Sequence, residues 1–297
     1  MSKKFEKKCA IVSFSEEISS RNTPFARLRL IDEEGKQCDA FYFGYVEEDK
    51  QHLSDPEAVY DISGVLNEDG TVKVKDITRL ENESASKFHK SIYDIKDLSK
   101  ELVSFIKENV LDEKYMNLLK STVLTGGTLS KFCKAPFHPV NNHEGSLLDH
   151  IGNCLRISKH LMNLYNVKYD LIFDSQAIYC AIILYYLTKS QLEKKGYCNY
   201  EFTEKQKVIG EDTMLLHAIL SKIEKLEDFV CLVDLLQSIA KRTYSQTLEG
   251  RLLNYVMNLD RVMQTVLIAL HNKNDNQAKL EADFNGTKVS LFYPSMQ

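Results

Sequence analysis

The residues whose order could make a site that holds a divalent ion or moves a proton are His138, His143-Glu144 and Asp149-His150, followed further on by His217 and Asp260. Where imidazoles and carboxylates converge they make the ligand set of a hydrolytic metal centre. Asp149 and His150 are neighbours on a predicted helix, so they point ~100° apart and do not face one ion together. His138 and His143 are expected in a solvated loop and His217 as a partly buried histidine. His150 and Asp260 are expected either to hydrogen-bond in the core or to mark a metal site. Nucleophilic chemistry has less support. No Gly-x-Ser-x-Gly elbow occurs, and none of the seven cysteines has a recognisable catalytic setting. Gly126-Gly127-Thr128 lacks the Gly-Lys-Ser/Thr ending of a phosphate loop and reads as a helix-terminating turn.

A second group of chemically useful residues lies near the N-terminus. In one predicted strand Ala26, Leu28 and Leu30 alternate with Phe25, Arg27 and Arg29. In the next, Cys38, Ala40 and Tyr42 alternate with Asp39, Phe41 and Phe43, and in a third Val72 and Val74 alternate with Lys73 and Lys75. With the first set of each strand inside a small barrel, Arg27, Arg29, Phe41, Phe43, Lys73 and Lys75 share its outer surface. Rings with interleaved cations suit single-stranded nucleic acid, where each stacked base contributes ~1–3 kcal/mol and the cations track phosphates. The alternative is that the two phenylalanines pack against another part of the chain and the cations only solubilise the surface.

The elements needed to place these residues follow from periodicity. Strand-like runs fall at residues 9–14, 25–31, 38–43, 59–66 and 71–77, with turn chemistry at Asp32-Glu33-Glu34-Gly35 and Asn67-Glu68-Asp69-Gly70 and a polar segment, 47–57, between the third and fourth. That order predicts a five-stranded oligonucleotide/oligosaccharide-binding (OB) barrel over residues 1–80. Residues 81–93 read as a linker. Beyond them apolar spacing predicts helices at 94–109, 113–124, 146–166, 171–193, 204–224, 226–243 and 247–272. A return to period two around Asn285-Gly286 predicts a hairpin near 279–294 that docks on one of the domains. The expected fold class is α+β in two domains, 1–80 and 94–297.

Composition narrows the function classes. At 297 residues and 43% hydrophobic content the chain can bury two cores without metal or disulfide help. The formal charge of −4 provides no global basic field, and residues 1–80 carry 12 Lys/Arg against 16 Asp/Glu, so nucleic-acid contact must come from a local patch and be salt-sensitive. Seven unpaired, scattered cysteines predict a reducing, cytoplasmic setting. No stretch of signal-peptide type follows the charged first residues, and the apolar run 177–187 is far shorter than the ~20 residues of a membrane span.

The order of elements and motifs resembles the YhaM-type 3′-to-5′ exoribonucleases, an OB barrel followed by an HD domain. The resemblance is carried by Phe132-Cys133-Lys134-Ala135-Pro136, by Gly145-Ser146-Leu147-Leu148-Asp149-His150 against a family Gly-Gly-Leu-Leu-Glu-His, and by Leu291-Phe292-Tyr293-Pro294 near the end. A family Leu-Leu-His-Asp-Ile-Gly-Lys falls on Ile183 to Lys189, so Tyr185 and Tyr186 stand where the His-Asp doublet is expected. A family Gly-His falls on Gly210-Glu211, a Ser-His-His on Ser238-Ile239-Ala240 and a late helical aspartate on Asp260. The resemblance implies a metal site of which His150 and Asp260 are the vestigial members. A neutral phenol replaces neither an imidazole nitrogen nor a carboxylate as a ligand.

These readings predict a catalytically degenerate scaffold that binds single-stranded RNA or DNA or acts in assembly, with no cofactor expected. The family's oligomers imply a homo-oligomer, and a protein partner is an open expectation. Two alternatives stand beside this one. The first is a divergent metal-dependent 3′-to-5′ exonuclease using Mn or Mg on His150, Asp260 and further ligands. The second is a protein-interaction module in which the barrel binds a polypeptide.

Overall fold

The computed structural model describes residues 3–55, 58–88, 92–196, 199–240, 245, 247–271, 279–284 and 287–292. Its chain is α+β and divides into two compact units. One comprises residues 1–92, 194–200 and 265–297, the other 93–193 and 201–264. No helix among the described residues is long and apolar enough to cross a membrane.

The N-terminal unit is built on β1 (Lys3–Ile18), β2 (Pro24–Asp32), β3 (Gln37–Tyr42), the short helix α1 (Asp49–Leu53), β4 (Val59–Leu66) and β5 (Val72–Leu80). The strands pair in the cyclic order β1-β2-β3-β5-β4, antiparallel except for β3 with β5. That parallel seam covers only Ala40–Tyr42 against Val72–Val74, so the rolled sheet is weakly closed there. Alternation puts Ala26, Leu28, Leu30, Ala40, Val72 and Val74 inside with Tyr60 and Ile62. β1 is longer than the run 9–14 because polar residues on both sides of the apolar stretch also find partners, Lys3 with Leu66 and Glu17 with Phe25. Opposite Ser63 and Gly64, which pair with Asp76 and Val74, Lys75 is an extra residue that makes a bulge in β5 and bends that strand. A Cβ on Gly64 would lie 2.4 Å from the Lys73 carbonyl oxygen, so only glycine fits. Within the 81–93 stretch, a 3-10 turn at Ala85–Phe88 buries Ala85 and Phe88 against Ala10, Ile31 and Val59.

Helices dominate the rest: α2 (Ile95–Asn109), α3 (Glu113–Thr122), α4 (Gly126–Lys134), α5 (Ser146–Tyr169) and α6 (Ser175–Tyr185). A two-stranded ribbon of β6 (Glu193–Gly196) and β7 (Asn199–Glu201) follows, then α7 (Glu204–Ile209), α8 (Glu211–Leu220), α9 (Val230–Ala240) and α10 (Leu248–His271). β8 (Lys279–Phe284) and β9 (Thr287–Phe292) pair as the expected hairpin, Leu280 opposite Leu291 and Ala282 opposite Val289. Its turn, Asn285-Gly286, and Tyr293-Pro294 lie outside the described residues.

Several helical expectations are corrected. Gly126-Gly127 begins α4 rather than ending a helix, because Thr125 is extended and its carbonyl accepts from Thr128 N–H. The helix expected over 171–193 starts where Asp174 accepts from Ala177 N–H and stops at Tyr185. Beyond it the Thr188 carbonyl turns to the Gln206 side chain at 2.8 Å, out of the helical ladder. The 204–224 helix is split by Gly210 at φ +86°, and 226–243 begins as a 3-10 turn, Leu226–Phe229. Every residue of α6 from Ala177 to Tyr185 is buried, so α6 is the central helix of its unit, packed with Leu147 and Ile151 of α5, Leu232 and Leu236 of α9 and Leu253 of α10.

Candidate functional site

His150, in the second turn of α5, is fully buried and held on all sides. Its helix starts from Gly145 at φ +85°. There the Ser146 hydroxyl accepts from Phe137 N–H at 2.8 Å and faces the Asn141 and His143 carbonyls at 2.8 and 2.7 Å. That knot draws Phe137 onto the imidazole, with ring centroids 3.9 Å apart and planes 11° from parallel.

His150 Nδ1 lies 2.6 Å from Asp260 Oδ2 of α10, and Nε2 lies 2.6 Å from the hydroxyl of Tyr186, the residue that caps α6. A carboxylate oxygen accepts, so Nδ1 carries the hydrogen and Nε2 takes its bond from the phenol. Burial pushes the imidazole pKa below its usual value against the pull of Asp260, and burial pushes the Tyr186 phenol well up. Both groups are therefore neutral near pH 7. The result is a buried chain running from Tyr186 O–H through the imidazole to Asp260.

One residue away Asp149 joins the same two helices differently. Its Oδ2 accepts from Gln264 Nε2 at 2.5 Å, Gln264 being one turn beyond Asp260 on α10. Gln264 Oε1 in turn accepts from Asn141 Nδ2 at 3.1 Å and the Tyr93 hydroxyl at 3.2 Å. The ~100° between successive α5 residues thus serves two α10 residues four apart.

Among the described residues, the cluster of His, Cys, Asp or Glu close enough to share an ion is His150, Cys154 and Asp260, all buried. It does not fit a metal. Both imidazole nitrogens are engaged, and burial holds the Cys154 thiol well above its usual pKa. Cys154 Sγ stands 3.9 Å from Nδ1 and 3.7 Å from Nε2, almost equidistant, as an atom against the ring would be and one in line with either lone pair would not.

Tyr185 is separate from this chain. Its hydroxyl accepts from Lys189 Nζ at 2.9 Å while the same ammonium lies 4.2 Å from the Tyr185 ring centre and 3.6 Å from Glu211. His143 is buried rather than solvated, because the Asn141 side chain turns its backbone inward, and His217 is exposed on α8 rather than partly buried. Phe137, Tyr93, Asn141 and Gln264 were not anticipated. Only Gln264 had a sequence signal, its i+4 spacing from Asp260.

On the rolled sheet five of the six expected surface residues, Arg27, Arg29, Phe41, Phe43 and Lys73, share one face, whereas Lys75 is the bulge residue of β5. Arg27 is opposite Phe41 in the β2–β3 register, and Phe41 is opposite Lys73 in β3–β5. Phe43, 52% exposed, stacks on buried Phe25 at 5.2 Å, and Phe41 lies 6.2 Å from the same ring. Lys73 stands 5.6 Å over Phe43 and Arg27 5.9 Å over Phe41. Lys75 is exposed on β5 without a ring beside it. Asp39 lies 3.6 Å from Arg27 and 3.9 Å from Arg29, and Glu17 lies 3.6 Å from Arg27, so both guanidiniums are partly neutralised.

No protein-family model, curated protein or solved structure matches the chain.

Proposed function

We propose that this protein is a single-stranded nucleic-acid-binding or assembly factor, with an OB-type barrel as its binding module and an HD-like helical part that is not a nuclease. The observation that carries the reading is the exposed face of Phe43, propped on Phe25 and flanked by Lys73. It is a half-exposed ring backed by a second ring with an ammonium 5.6 Å from its centre, the pairing of aromatic and cation that single-strand binding uses. Partial neutralisation of Arg27 and Arg29 by Asp39 and Glu17 reduces their share of the binding relative to stacking. About two net phosphate contacts correspond to a salt slope near −1.4 for a single strand. The absence of hydrolysis rests on the engaged nitrogens of His150.

The assembly part of the reading has its own support. Tyr255, Leu259, Val262 and Met263 follow i, i+4, i+7, i+8 spacing on α10 and are all exposed, which makes an apolar face for a second copy of the chain.

The test is fluorescence anisotropy with a labelled single-stranded RNA and DNA oligonucleotide across a salt series. The wild type should bind, and joint truncation of Arg27, Arg29, Lys73 and Lys75 should weaken binding and flatten the salt dependence. Unchanged affinity rejects the platform. Digestion of the same oligonucleotide in manganese that stops on Asp260→Ala rejects the non-nuclease reading.

A further inference from the structure

We infer that the Tyr186 hydroxyl occupies the position a divalent ion would take on His150, so that the junction of α5, α6 and α10 is a metal-independent pin. The three groups of the pin come from elements far apart in sequence, Tyr186 at the end of α6, His150 on α5 and Asp260 on α10. A bound ion joins helices by taking lone pairs from side chains on each. Here an O–H hydrogen takes the Nε2 lone pair and an N–H hydrogen is given to Asp260, so three helices are joined with no ion.

The surroundings hold the phenol in that role. Tyr186 is fully buried, its ring meets the imidazole edge to face at 5.1 Å, and Phe137 meets it at 5.8 Å, near perpendicular. The Phe137 stack and the Cys154 thiol flank the imidazole, which cannot turn Nε2 elsewhere without breaking the Asp260 bond. Tyr186 is therefore the residue whose chemistry decides whether an ion can enter.

Thermal unfolding of the full chain with EDTA, with Zn2+ or with Mn2+, together with metal analysis of the purified protein, tests this. The wild type should contain no stoichiometric metal and melt at the same temperature in all three conditions. Tyr186→Phe should melt about 4–8 °C lower, because Nε2 loses its donor, and should stay indifferent to metal. The inference is overturned by stoichiometric metal in the wild type, by a fall of its Tm in EDTA, or by a wild-type Tm for Tyr186→Phe. Because none of these readouts involves nucleic acid, they stand or fall apart from the barrel's binding.

Discussion

The Tyr186 hydroxyl and His150 Nε2 are 2.6 Å apart, and this one bond sets the chemistry of the helical unit. It fixes the tautomer of the imidazole, leaves Nδ1–H for Asp260, and removes the lone pair that hydrolytic metal chemistry would use. The neighbouring Asp149–Gln264 bond repeats the α5–α10 link without titratable imidazole. The two bonds tie α5 to α10 at successive residues, His150 to Asp260 and Asp149 to Gln264.

Removing one partner of the buried pair should be costly. His150→Ala leaves the Asp260 carboxylate without its imidazole donor and is expected to lose about 3–5 kcal/mol in urea unfolding. Gln264→Ala, which strands Asp149 and Asn141 donors and acceptors, should lose about 1–3 kcal/mol. Losses under 0.5 kcal/mol in both would show that the network contributes little.

Stability should depend on His150 in mildly acid solution. The folded imidazole has a depressed pKa, whereas the unfolded one titrates near about 6.5, so the unfolded chain takes up the proton first as pH falls. The contribution is fully present above pH ~6.5 and is lost progressively below it. Urea midpoints measured from pH 8 to 5 should fall more steeply for the wild type than for His150→Gln. Parallel curves would contradict this.

Base stacking should be separable from fold stability on the rolled sheet. Phe43→Ala is expected to weaken oligonucleotide binding by ~1–3 kcal/mol while moving Tm little, because the ring is half exposed. Phe25→Ala, which removes the buried prop, should lower both. Equal Tm losses for the two variants would make the aromatic pair purely structural.

The glycine opposite the β5 bulge offers a test of the strand register. Gly64→Ala puts a methyl group against the Lys73 backbone carbonyl, which cannot turn away, and should destabilise the N-terminal unit by about 1–3 kcal/mol. A wild-type Tm would mean that β4 and β5 pair without the bulge.

Much of the architecture was legible in the sequence because it depends on local periodicity. Alternation along Phe25 to Leu30 and Cys38 to Phe43 assigned inside and outside, and every inward residue of β2 is buried. Turn residues behaved likewise, with Gly35 and Gly70 at positive φ where the loops required it. Helix ends were less legible. Gly126-Gly127 opens a helix because Thr125 is extended, and Tyr185 ends one where the Thr188 carbonyl turns to Gln206, 18 residues further along.

The sequence by itself determined which residue types were present at the candidate site: one histidine, one late aspartate, and two tyrosines where a metal centre would want better ligands. Only the tertiary structure decided what they do, because hydrogen bonding across 36 and 110 residues has no local signature. Folding put one tyrosine on His150 Nε2 and the other under Lys189, a difference that two adjacent, chemically identical residues cannot announce. It likewise set Asp39 and Glu17 beside the arginines of the sheet face, and so turned a pattern of cations into one led by rings.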